Sequence, residues 1–186
     1  VGASELAARV AAALPIFGDR LTVGAAAGMV TVSLAEARRI APVFDMGAQY
    51  DLPFVTLGAS LRNLGPDMSG AGLADAPLPS EARIGAATSW QRADGWGGSL
   101  NADVVTLLQE KRTGLLLGAE AGLMPATTMG ISAVARVGID ATQGRDAIGA
   151  FRFGAGVGFG RVDLDYAYQD FDAFGGVHRI GLRWAR

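Results

Sequence analysis

The side chains able to do chemistry in this chain are arginines and carboxylates, and they recur on one parity of short alternating segments. Arg9, Asp45, Arg62, Arg83, Asp103, Glu120, Arg136, Arg152, Asp163, Asp165, Arg179 and Arg183 each stand where apolar residues fill the alternate positions. The chemistry of such a set is ion pairing. Gathered on one enclosed face, the charges must neutralise each other, because an unpaired charge held away from water is costly. Pairs between neighbouring strands are therefore expected, Arg152 lying diagonal to Asp165 among them. The set serves either as a polar permeation path or ligand site, or as a filled wall whose charges only balance one another.

Other chemistries find less support. His178 is the single histidine, which excludes a multi-histidine metal site and leaves any serine–histidine arrangement without a nucleophile elbow. Gly154, Gly156, Gly158 and Gly160 are spaced strictly by two with no helix after them, so they are not a phosphate-binding fingerprint. No pair of carboxylates is isolated on an apolar background as an acid and base would be. The reading is a non-enzyme with no catalytic residues, no cofactor and no metal. Trp90, Trp96 and Trp184 could grip a ligand, but near strand ends they fit interfacial anchoring.

The elements that position these charges are strands. In the stretch from Ala147 to Arg186, Phe151, Phe153, Ala155, Val157 and Phe159 fall on one parity, with Arg152, Gly154, Gly156 and Gly158 on the other. That is the period-2 signature of a strand with two unlike faces. Val162, Leu164, Tyr166 and Tyr168 then alternate against Asp163, Asp165, Ala167 and Gln169, and a two-residue turn at Gly160 brings the two polar faces together. Ile180, Leu182 and Trp184 against Arg179, Gly181 and Arg183 repeat the pattern. In a soluble sandwich the apolar face is the core, whereas in a membrane barrel it meets lipid and the charges line the lumen. Aromatic residues near strand ends, at Phe159, Tyr166, Tyr168 and Trp184, favour the barrel. On that reading Phe153, Val157, Leu164, Tyr166, Ile180, Leu182 and Trp184 face lipid, with Leu164 taken as near mid-strand.

Segments of about ten residues bounded by turn residues give about eleven strands along the chain. The fold class is all-β, an antiparallel transmembrane β-barrel in one domain over 1–186. Leu34 to Arg39 reads as a longer connection with a helical turn, and Leu64 to Ser80 as the longest irregular piece, a partner-binding surface or an ordered lid. Connections alternate in length. Phe17 to Asp19, Asp51 to Pro53, Gln91 to Gly95, Leu123 to Ala126 and Phe159-Gly160 are short; Ser33 to Ala41, Leu64 to Ser80, Ile139 to Arg145 and Asp170 to Val177 are longer and more polar. Gln109 to Arg112 is the exception. Short periplasmic turns and long extracellular loops have this asymmetry. Partners are then outer-membrane lipid or lipopolysaccharide, and proteins at the extracellular loops 64–80, 139–146 and 170–177.

Composition agrees. Half the residues are hydrophobic and mean hydropathy is +0.28, yet Gly, Arg or Pro breaks each apolar run well short of the ~20 residues a membrane helix needs. The 27 glycines suit a coiled wall with space on one face. A net charge of −2 and a pI near 5.3 argue against nucleic acid as a partner. Absence of cysteine fits an outer-membrane protein among many others. No signal peptide is visible at Val1-Gly2-Ala3-Ser4.

An ordered series of phrases resembles the PorV/PorQ-type outer-membrane proteins. The phrases are FDMGAQY (Phe44 to Tyr50), LGASLRNLGP (Leu57 to Pro66), PLPSEARIGAA (Pro77 to Ala87), GAEAG (Gly118 to Gly122), ARVGI (Ala135 to Ile139), GAGVGFGRVDLDYAYQ (Gly154 to Gln169) and HRIGLRW (His178 to Trp184). The resemblance implies a FadL-like, fourteen-stranded barrel, of which the visible strands form the C-terminal part, the family's earlier strands being absent here. It implies a bacterial outer-membrane protein that acts as a non-enzymatic docking or shuttle component, in some members for type IX secretion of surface proteins. The alternatives are a FadL-like channel for hydrophobic small molecules and a soluble β-sandwich adhesin. One departure is the end of the chain, where Ala185-Arg186 follows Trp184 in place of a terminal aromatic residue.

Overall fold

The structure is a computed structural model that describes residues 3–34, 37–70, 74–123, 130–142, 151–170 and 175–184. It is all β. Eleven strands follow in order: β1 (Ala3–Ile16), β2 (Leu21–Leu34), β3 (Ala37–Asp51), β4 (Thr56–Leu64), β5 (Glu81–Gln91), β6 (Trp96–Leu107), β7 (Arg112–Leu123), β8 (Ile131–Thr142), β9 (Phe151–Phe159), β10 (Val162–Asp170) and β11 (Gly176–Trp184). They form one antiparallel sheet in which each strand lies beside its neighbours in sequence. No helix among the described residues is long and apolar enough to cross a membrane. The chain divides into two compact units, 1–84 with 105–112, and 85–104 with 113–186.

In the first unit β1, β2 and β3 are long and pair over their whole lengths, from Ala3 opposite Leu34 to Ile16 opposite Leu21, and from Leu21 opposite Tyr50 to Leu34 opposite Ala37. The connection expected from Leu34 to Arg39 is therefore strand, with only 35–36 outside the described residues. Ala, Glu and Arg favour helix locally, but here the ladder between β2 and β3 determines the conformation, as tertiary context does for weak propensities. The asymmetry of the connections is correspondingly narrower than expected. It is strong at 65–80 and absent between β2 and β3. The expected loops at 139–146 and 170–177 begin and end in strand, β8 running to Thr142 and β11 starting at Gly176; the rest of both, apart from Gly175, lies outside the described residues, as do Met124 to Ala126 and Met129.

A bulge interrupts the pairing of β3 with β4, the register shifting between Phe44 opposite Leu64 and Met46 opposite Leu61. The extra residue is absorbed where Asn63 takes a left-handed φ of 53°, a conformation that Asn tolerates better than most residues. Its N–H donates to Asp45 Oδ1 at 2.7 Å instead of to the ladder.

Exposure alternates with the opposite sense to that of a soluble sheet. On β3 Ala41 and Val43 are buried while Ile40, Phe44 and Met46 are exposed; on β9 Gly156 and Gly158 are buried while Phe153, Val157 and Phe159 are exposed. Val10 is 81% exposed, Ile84 70% and Ile180 77%. On these interior strands the apolar parity is the more exposed and the polar or glycine parity the more buried.

The buried core of the first unit lies on the parity of β3 that also carries Asp45. Val30, Ala41, Val43 and Leu78 form it, with Val32 and Met68 against it. Leu78 belongs to the long segment after β4, which is ordered by backbone bonds between Ile40 and Ser69 and between Met68 and Ala76. Its Met68 and Leu78 pack against the face of β2 and β3 that carries Val30, Ala41 and Val43. Its partners, Val30, Ala41 and Val43, share the parity of the charges and were not singled out from the sequence.

Candidate functional site

Several of the ionic residues singled out from the sequence pair between strands of the sheet. In the first unit Arg9 on β1 reaches Asp45 on β3, Nε to Oδ2 3.4 Å, and its Nη2 donates to Asn63 Oδ1 at 2.6 Å. It must cross β2 to do so. Gly28 stands directly opposite Arg9, and the place a Cβ would take there is already held by Arg9 Cγ and the Ala8 carbonyl. Asn63 Nδ2 donates to the Pro79 carbonyl at 3.0 Å, and the Ser80 hydroxyl donates to the Asn63 carbonyl at 2.8 Å. The bulge thus ties the strand face to the end of the segment that carries Leu78. Glu81 sits between Arg83 and Arg62, at 3.3 and 3.9 Å.

In the second unit Glu120 on β7, Arg136 on β8 and Asp165 on β10 form one chain of charges. Arg136 Nε donates to Glu120 Oε2 at 2.5 Å, and Nη1 donates to Asp165 Oδ1 at 2.7 Å. Glu120 is directly opposite Arg136, but Asp165 is two strands away. The intervening β9 presents Gly154 opposite Arg136 and Gly156 opposite Asp165. At Gly156 the space of a missing Cβ is taken by Asp165 Oδ1, with Arg136 Nη1 close by. The glycine series is the gap through which the guanidinium crosses a strand. At Gly158 the same space is held by Ser132 Oγ and Asp163 Oδ1, and at Gly85 by the Asp103 carboxylate.

The expected diagonal of Arg152 with Asp165 does not form. The two-residue turn places Asp165 opposite Gly156 and Arg152 opposite Gln169, a separation of four residues or ~13 Å along the strand. Arg152 Nη2 donates instead to Asp140 Oδ2 at 2.5 Å. Asp140 is 6% exposed and was assigned to a loop from the sequence. Its even parity with Ser132 and Arg136 was the signal that could have found it. Arg179 and Arg183 are exposed on β11 and form no ion pair among the described residues.

On the opposite face Phe153, Val157, Leu164, Tyr166, Ile180, Leu182 and Trp184 are all exposed. Leu164 is the third residue of β10, nearer the turn than mid-strand. Ile131, Val157, Phe159, Val162 and Leu164 border a shallow apolar hollow of about 300 Å³. Tyr166 and His178 are joined through the phenol oxygen and Nδ1 at 2.8 Å, and the ring of Tyr168 lies against His178, which places the lone histidine in an aromatic cluster. No group of three or more His, Cys, Asp or Glu side chains suited to a metal occurs among the described residues.

The charge chain is a wall filler if its members only neutralise one another. Arg136→Met leaves Glu120 and Asp165 without their shared cation, and a cost of about 1–3 kcal/mol is expected in urea unfolding. Adding Glu120→Gln and Asp165→Asn should restore most of it, because the penalty lies in the unpaired carboxylates. Neither a family profile, nor a curated protein, nor a solved structure matches this chain.

Proposed function

We propose that this chain is an integral outer-membrane β-barrel protein of the PorV/PorQ type. It serves as a non-enzymatic docking or shuttle component in secretion or surface attachment of partner proteins. The observation that carries the membrane reading is the inverted exposure of the strands, with large apolar side chains outside and arginine–carboxylate chains over glycine on the enclosed face. Lipid is the solvent in which that arrangement is favourable. Among the described residues the single sheet has no second sheet to cover the apolar face, which a sandwich requires. The docking role rests on the resemblance of the ordered phrases from Phe44 to Trp184.

A FadL-like channel for hydrophobic small molecules is the second reading. It is favoured by one feature, the apolar patch of Val30, Ala41 and Val43 on the enclosed face, which Leu78 covers. Extraction into detergent followed by gel migration with and without boiling tests the membrane reading. A heat-dependent shift and a requirement for detergent are expected; a protein soluble and monomeric without detergent would refute it. Pull-down of secreted proteins against uptake of a fatty acid into liposomes separates the two roles.

A further inference from the structure

We propose that the apolar hollow on β8, β9 and β10 is a binding site for one anionic glycerophospholipid, with an acyl chain seated in the hollow and the phosphate on Arg161. This rests on the membrane reading, since only the bilayer brings such a lipid to that face.

The hollow, about 300 Å³, is bordered by Ile131 of β8, Val157 and Phe159 of β9, and Val162 and Leu164 of β10. Pairing sets these residues in two rows. Ile131, Phe159 and Val162 stand abreast at the strand ends, and Val157 and Leu164 stand abreast two residues further along. All three strands have a bonded neighbour on each side, so the hollow does not depend on an edge of the sheet. Ile131, Val157, Phe159 and Leu164 are all exposed.

A cation stands at the rim of this hollow. Gly160, with a φ of 59°, lets the chain turn in two residues between Phe159 and Val162, and the second of the two is Arg161. Its side chain is exposed and forms no ion pair among the described residues. The nearest carboxylate in sequence, Asp163, is on the other parity, its Oδ1 lying over Gly158 beside the Ser132 hydroxyl. The turn between β5 and β6 is built differently, for there Arg92 Nη2 is 3.3 Å from Asp94 Oδ2. Arg161 therefore differs from Arg92 in having no anion in its own turn.

Charge and depth together select the occupant. A free anion gains nothing from five apolar side chains, and a neutral acyl chain gains nothing from Arg161. A phosphate joined to an acyl chain meets both, through charge-assisted guanidinium bonds above and apolar contact below. The order along the strands is that of a lipid, with the guanidinium at the turn and the hollow occupying the next two residues, ~7 Å. Trp184 stands opposite Val162 at the same level and is exposed, an anchoring residue type at head-group depth. Short turns mark the periplasmic rim of an outer-membrane barrel. The leaflet on that side is glycerophospholipid, so the site takes such a lipid and not lipopolysaccharide.

The test is native mass spectrometry of the full chain, released from detergent micelles that hold equal amounts of phosphatidylglycerol, phosphatidylethanolamine and lipid A. The expected result is retention of one phosphatidylglycerol in preference to the other two. Arg161→Gln should reduce that preference about fivefold, the worth of one cation near a lipid surface, while Arg161→Lys keeps most of it and Arg92→Gln leaves it unchanged. Val157→Trp fills the hollow and should lower retention of phosphatidylglycerol and phosphatidylethanolamine alike. Equal retention of these two by the parent overturns the proposal, as does a preference for lipid A. An equal loss with Arg92→Gln overturns it as a general rim charge, and unchanged retention with Val157→Trp overturns it as a site elsewhere. Heat-dependent gel migration of the same samples shows that the variants are folded and reports separately on the membrane reading. A retained shift without lipid preference removes the lipid site alone, whereas a chain soluble and monomeric without detergent removes the membrane reading and the site with it.

Discussion

Leu117→Arg is expected, on the membrane reading proposed above, to destabilise the detergent-extracted or bilayer-inserted protein by about 2–4 kcal/mol, the cost of a cation at the bilayer midplane on the lipid face of a barrel. Leu117 is 41% exposed and lies mid-strand on β7, on the outward parity and directly opposite Ile139 of β8. Leu164→Arg changes the same chemistry at a different depth. Leu164 stands two residues inside the start of β10, so its arginine can reach the interface and should cost less, since the penalty falls toward roughly 0–1 kcal/mol there. The gradient is the informative part. In a soluble protein both positions are exposed to water, and both substitutions would fall within about 0.5 kcal/mol of the parent. Equilibrium unfolding in urea from lipid vesicles measures the difference, and equal, negligible effects at the two depths would falsify the outward-to-lipid assignment.

Leu78→Ala is expected to cost about 2–5 kcal/mol, the range for truncating a fully buried leucine. Leu78 is 2% exposed and closes the patch of Val30, Ala41 and Val43. Its loss should act beyond the cavity, because the segment it anchors is otherwise held by few bonds, chiefly those of Ser69 with Ile40, Met68 with Ala76, and Ser80 with Asn63 and Leu108. Hydrogen exchange at Ser69 and Ala76 should rise in the variant, while exchange in β9 and β10 stays as in the parent. If the channel reading applies, the same variant should also bind apolar ligands more readily, since the leucine no longer occupies the patch. Unchanged stability with unchanged exchange at Ser69 would mean that the segment does not depend on this contact.

Alternation is a property of the chain alone, and it carried a large share of the fold. The period-2 pattern of Phe151 to Phe159 and Val162 to Tyr168, with a two-residue turn between, is enough to set strand type, antiparallel pairing and the common polar face. The parity of Arg136, Arg152, Asp163 and Asp165 was legible for the same reason. What the pattern leaves open is how far each strand runs, which residue stands opposite which across a bulge, and what a side chain meets two strands away. The stretch around Ala37 to Arg39 reads as helix-prone until β2 supplies its ladder partners. Asp140 reads as loop until β8 is extended to Thr142. Arg152 finds Asp140 and Arg136 finds Asp165 because register, set by the turn, fixes who is within reach, and because Gly154 and Gly156 leave a strand bare enough to cross. The inward leucine at 78 is a tertiary decision of another kind. Hydrophobicity placed Val30 and Val43 on no particular face, and the long segment settles there because the charged face has an apolar end that only packing reveals.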